Sequence, residues 1–175
     1  MSMRFTSVIG YVACVVAANV LTARLGLVPV GFGATATAGT YAAGLAFLAR
    51  DVVQDAVGKS WVLVAIAVGG GISWAMSTPE LALASTAAFT LAELADFGVY
   101  TPLRRRGWAL AVIASNAIGA VLDSIVFLHL AGFPVLANLG GQLVGKLLWA
   151  TLIPVLVVTA VRRAVSREPV HAAGA

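Results

Sequence analysis

Six mostly apolar stretches follow one another with short polar gaps, and this pattern constrains the chain more than any other feature. They run roughly over Phe5–Ala23, Ala34–Val53, Trp61–Met76, Leu81–Tyr100, Trp108–Leu130 and Leu136–Val161. A helix needs about 20 apolar residues to cross the hydrocarbon core. Lipid offers no hydrogen bonds, so backbone groups must be satisfied within each segment, and at these lengths the spans are helices. The alternating strands of about 10 residues that build an outer-membrane barrel are missing from the pattern. The chain is 61% hydrophobic and 10% charged, whereas a soluble domain is about 25% charged. The expected fold is therefore an all-α polytopic membrane helix bundle with about six transmembrane helices. One transmembrane domain is expected over residues 1–163, with a short cytoplasmic tail, expected to be disordered, over 164–175.

The first stretch follows Arg4, as a secretory signal would, but it is long enough to span and further spans follow. It is read as a retained helix. Gly69-Gly70-Gly71 in the third stretch marks a bend or a close approach by a neighbour. The second stretch is expected to continue helically to Gly58, because Asp51, Asp55 and Gly58 share a face. Orientation follows from the basic residues. With the N-terminus inside, Arg4, Arg50, Lys59, Arg104, Arg105, Arg106, Arg162, Arg163 and Arg167 are cytoplasmic, and only Arg24 lies opposite. Both termini are then cytoplasmic. The net charge of +4 does not indicate nucleic acid, since the basic residues occupy the gaps between spans. Cys14 is read as a packing residue.

The informative residues are the polar ones inside the spans. A charge at a helix centre costs about 2.5–3.5 kcal/mol on insertion scales. Glu93 and Asp96 share a face of the fourth span, and Asp123 lies two turns beyond Asn116 in the fifth. Lys146 follows Gln142 by one turn in the sixth, and Asn19 sits toward the outer end of the first. Such groups must converge on a bundle interior or an aqueous cavity. Each also has a plainer role open to it: Lys146 as an ion-pair partner, Asp96 and Asp51 as helix-end residues, Asn19 as an interhelical hydrogen bond. Gly141 and Gly145 form a GxxxG pair suited to helix packing.

The chain carries no Walker A loop, no HExxH and no GxSxG. His129 and His171 lie near an outer helix end and in the tail, so no metal or other cofactor is expected. A non-enzymatic solute carrier with a mixed-charge interior fits these residues best.

The order of the polar residues resembles a known family. Ala18-Asn19-Val20-Leu21-Thr22 is followed by Phe47-Leu48-Ala49-Arg50-Asp51 with Gly58, then Glu93-Leu94-Ala95-Asp96 leading to Tyr100 and Leu103-Arg104. Ser115-Asn116 with Asp123-Ser124 and Phe127 come next, then Gln142, Lys146 and Pro154. This resembles the VUT family of vitamin uptake transporters, which includes queuosine precursor transporters, over about Val16 to Val158. The resemblance implies import of a 7-deazaguanine, either the nitrile or the aminomethyl precursor of queuosine, across the plasma membrane. A guanine-like edge offers adjacent N–H donors that one carboxylate accepts together. The substrate-binding set expected on this basis is Glu93, Asp96 and Asp123 as acceptors, Asn19, Asn116 and Gln142 as orienting amides, and Lys146 as counter-ion. Asp51 is expected to gate or hold the cytoplasmic end. The expected partners are a deazapurine substrate and the bilayer, with no nucleic acid. Six short helices enclose little volume, which leaves a homodimer open. Two rival readings are the substrate-binding subunit of an energy-coupling factor transporter, docking through small-residue faces such as Ala13/Ala17 or Ala42/Ala46, and a non-transporting membrane scaffold.

Overall fold

The computed structural model describes residues 3–76 and 79–165. Ser77-Thr78 and the tail from 166, with His171, lie outside the described residues. The order of elements is α1 (Met3–Leu25), β1 (Leu27–Gly31), β2 (Ala34–Thr37), α2 (Thr40–Val57), α3 (Lys59–Met76), α4 (Pro79–Leu103) and α5 (Trp108–Leu130). The last crossing joins α6 (Val135–Leu143), a π-helical segment (Val144–Leu152) and α7 (Ile153–Val165).

Solvent preference is inverted relative to a soluble protein. Leu136, Trp61, Leu83 and Leu156 face outward, while Arg50, Asp51, Glu93, Asp96 and Lys146 are buried. That is the arrangement a bundle in lipid requires, because only the interior can supply partners for charges. Five segments are long and apolar enough to cross a membrane: Thr6–Leu25, Lys59–Met76, Ala82–Leu103, Trp108–Leu130 and Val135–Val165. The protein is a multi-pass, all-α membrane bundle with one small hairpin.

α2, which is not among these five, departs from the expected Ala34–Val53 span. Residues 34–37 are a strand, and the helix starts at Thr40. Ala34-Thr35-Ala36-Thr37 alternates with a period of two and places a β-branched residue at every second position, which favours a strand. Gly31-Phe32-Gly33 turns the chain with positive φ at all three residues. β1 and β2 pair antiparallel, with an irregularity between Pro29 and Gly31. Free strand edges are tolerated at membrane depth only where protein covers them. Here the Trp149 indole N–H donates to the Val30 carbonyl at 2.8 Å. The hairpin therefore lies against the last crossing and completes the outer part of a helix only about 27 Å long.

α2 runs back along α1. Gly39 sits against the Ala18 carbonyl and Thr22, whereas Val53 packs with Tyr11 and Val62 toward the opposite end. α2 ends at Val57, with Gly58 as its left-handed cap. Asp55 near that end pairs with Arg104 at 2.9 Å, and Arg162 stacks over Trp108 at 4.4 Å. These groups mark the basic end, which the charge rule places in the cytoplasm. α3 is unbroken through its three glycines, and Gly69 admits the Phe89 ring and the Tyr11 hydroxyl. The GxxxG pair packs as expected: Gly141 abuts the Thr35 backbone and Gly145 abuts Thr40.

A Cβ at Gly141 would lie 1.9 Å from the Thr35 carbonyl oxygen, whereas one at Gly140 meets nothing within 4 Å. Gly141→Ala should lower stability by roughly 1–3 kcal/mol through overpacking, and Gly140→Ala should not. Thermal unfolding of the two purified variants in detergent checks this difference.

Candidate functional site

The helices and the hairpin line a cavity of about 300 Å³ in the half of the bundle away from the basic end. Its polar lining comes from separate elements: Asn19 and Thr22 on α1, Thr37 on the hairpin, Thr40 on α2, Ser73 on α3, Ser85 on α4, Asp123 on α5, and Gln142 and Lys146 on the last crossing. Phe89 and Phe127 supply aromatic walls.

The Lys146 ammonium donates to the Asp123 carboxylate and, at 2.9 Å, to the Ser124 hydroxyl. Lys146 is almost wholly buried, while the Asp123 side chain keeps 16% of its surface toward the cavity. The pair is therefore neutral overall, with a carboxylate edge exposed to the cavity. Gln142 is fixed from two sides: its Nε2 donates to Thr37 Oγ1 at 3.3 Å, and its Oε1 accepts from Thr40 Oγ1 at 2.9 Å. The hairpin thus orients one amide of the lining. The Asn19 amide donates to the Val15 carbonyl one turn back, at 3.0 Å.

The π-helical segment sets the position of Lys146. Pro154 lies just beyond it, lacks an N–H, and would clash with the carbonyl four residues back in a regular helix. A widened turn relieves that clash, and single-turn π segments inside helices often mark functional sites. Thr151 donates to the Lys146 carbonyl at 2.9 Å, and Asn116 Nδ2 donates to Thr151 Oγ1 at 3.0 Å. Asn116 thereby supports the segment and does not line the cavity.

One turn closer to the basic end lies a second polar cluster. Arg50 Nη1 is 2.9 Å from Asp51, Nε is 3.3 Å from Glu93 Oε2, and Nη2 pairs with Asp96. All four side chains are fully buried. The guanidinium carbon lies 5.5 Å from the Tyr100 ring centroid. Ala46 and Phe89, four residues before Arg50 and Glu93, line the cavity, so the cluster forms the layer beneath it.

The expected residues therefore divide. Asn19, Asp123, Gln142 and Lys146 come together on the cavity wall. Glu93, Asp96 and Asp51 are turned to Arg50 below it, and Asn116 stands behind the wall. Arg50 corrects the sequence reading, which placed it in a cytoplasmic segment; it lies mid-helix, and the basic asymmetry still holds without it. Its signal was available, since apolar residues continue on both sides of Arg50-Asp51. The roles of Thr37 and Thr40 were hidden, because they depend on the hairpin.

A polytopic helical membrane protein with a solute-sized polar cavity inside the bundle belongs to the class of small-molecule carriers in its architecture. The family model described as "Putative vitamin uptake transporter" matches residues 73–164, just over half of the 175. The chain belongs to this family of transporters. No curated protein and no solved structure matches it.

Lys146→Met should leave the Asp123 carboxylate without its ion partner at a mostly apolar wall, costing about 1–3 kcal/mol. Replacing both, as Lys146→Met with Asp123→Leu, should recover most of that loss. Melting temperatures of the single and double variants decide it: a double variant no more stable than Lys146→Met would mean that the pair does not neutralise the wall.

Proposed function

We propose that this protein imports a 7-deazaguanine precursor of queuosine, the nitrile or the aminomethyl base, across the plasma membrane. The observation that carries this reading is the cavity lining that Asp123, Lys146 and Gln142 share with Phe89 and Phe127. A carboxylate edge can accept two adjacent N–H groups of a guanine-like base. Asn19 and Gln142 supply amides for its carbonyl and ring edges, and Lys146 keeps the empty wall neutral. Aromatic side chains on the wall suit a flat bicyclic ring. A volume of about 300 Å³ lies at the low end of small-ligand pockets, roughly 300–1,000 Å³. It favours a free base over a large conjugated vitamin.

Among the acceptors expected from sequence, Asp123 is the one this conformation offers to a ligand. Each hydrogen bond to a charged group contributes about 1.5–3 kcal/mol. Asp123→Ala should therefore weaken uptake at least about tenfold, and Lys146→Ala should do the same by unbalancing the wall. The assay is deazaguanine-dependent restoration of queuosine in cells unable to make the precursor. Normal import by both variants at normal expression would sink the assignment. Uptake by the purified chain alone in liposomes would separate this reading from an energy-coupling factor subunit, which needs its ATPase.

A further inference from the structure

The charge balance below the cavity does not close. Three carboxylates, Asp51, Glu93 and Asp96, surround one guanidinium, Arg50, and all four are 0% exposed. If all were ionised, the cluster would carry two uncompensated negative charges in a water-excluded layer. An unpaired buried charge costs several kcal/mol even after relaxation, so proteins neutralise it. The neighbours do not do so. Lys146 is already paired with Asp123, whose own charge bears on Glu93. Arg104 acts on Asp51 but is held by Asp55 at the surface, and Asp55 opposes its effect there. α1 offers Tyr11 and Cys14, not a cation. α3 faces Tyr11 with Gly69. Among the described residues no further basic side chain reaches the cluster.

Oxygens are also left over. Glu93 Oε1 and Asp96 Oδ2 accept no hydrogen bond, while Asp96 Oδ1 lies against Arg50 Nη2. The Tyr11 hydroxyl, equally buried, lies beside Glu93 and brings no positive charge to the cluster. A sodium ion would need a central position among several oxygens, and the guanidinium already occupies it. Protons need only a single oxygen each.

From this charge count and geometry we infer that the Arg50 cluster is a proton-binding site that couples transport to the proton gradient. The dehydrated arrangement is the proton-loaded form, with protons on carboxylate oxygens of Glu93 and its neighbours. Water reaching the cluster from the basic end solvates the charges directly, and the protons leave toward the cytoplasm. No bond other than O–H forms or breaks. Each proton enters from the outer face and exits inside with one turnover. The inference rests on the transporter reading, but its first test does not need the substrate.

That test is infrared spectroscopy of the full chain in lipid near neutral pH. A carbonyl stretch of a protonated carboxylic acid should be present. It should weaken in Glu93→Gln or in Asp96→Asn, and persist in Asp123→Asn. The second test is uptake of 7-cyano-7-deazaguanine into proteoliposomes. An inward proton gradient should raise accumulation about tenfold per pH unit for each coupled proton, and a protonophore should abolish that rise. Glu93→Gln or Asp96→Asn should keep exchange at equal pH and lose the response to the gradient. A wild-type chain with no protonated-acid band, or with uptake driven by sodium at equal pH, would overturn the inference. Absence of deazaguanine uptake alongside a clear band would count against the proposed substrate and leave the proton site standing.

Discussion

Arg50 is the group on which the inner half of the bundle depends. It sits mid-helix in α2 and holds Glu93 and Asp96 of α4 together with its own neighbour Asp51. Asp96 in turn packs against Gly119 of α5, and Glu93 lies beside Tyr11 of α1. One guanidinium thus ties together the layer where four crossings meet. Lipid makes this arrangement compulsory. A charge with no water available must find partners within the protein, and the helices that carry those partners are drawn to it. Buried ion pairs add little net stability in general, but removing one member of such a set is severe.

Above this layer the design changes. The cavity wall mixes one balanced ion pair, two amides, several hydroxyls and two aromatic rings. Its central polar groups are each held by a second group. Lys146 is supported by Ser124 and by the π-helical turn, and Gln142 by Thr37 and Thr40. Such support keeps hydrogen-bonding directions in place when the cavity is empty, which reduces the ordering cost of binding. The separation of the two layers by one helical turn places the candidate ligand wall directly over the charged floor. Movement of the floor would therefore be felt at the wall.

Much of the fold was legible in the chain. Apolar length located the crossings because lipid leaves helices as the only form for such runs. The segment from Ala34 to Gly39 reads as part of a span for a related reason. Its residues are apolar and small, so a length criterion merges them with α2. The alternation of Ala34 to Thr37 and the glycines flanking Phe32 carried the strand signal, but at only a few residues it is weaker than a 20-residue run. Asn19, Asp123, Gln142 and Lys146 could be selected as polar exceptions. That they share one wall, while Glu93 and Asp96 face elsewhere, could not be read, because helix rotation about its axis is set by packing against neighbours.

By itself the amino-acid sequence determined five of the crossings, the basic end and most of the buried polar groups, since each follows from the transfer of side chains between water and lipid. The tertiary structure alone decided how those groups pair. Arg50 belongs to three acids because α2 and α4 pack at that depth, and Lys146 belongs to Asp123 because a widened turn before Pro154 carries it there. Transfer energies depend on one residue at a time, whereas pairing depends on distances between helices that are far apart in the chain.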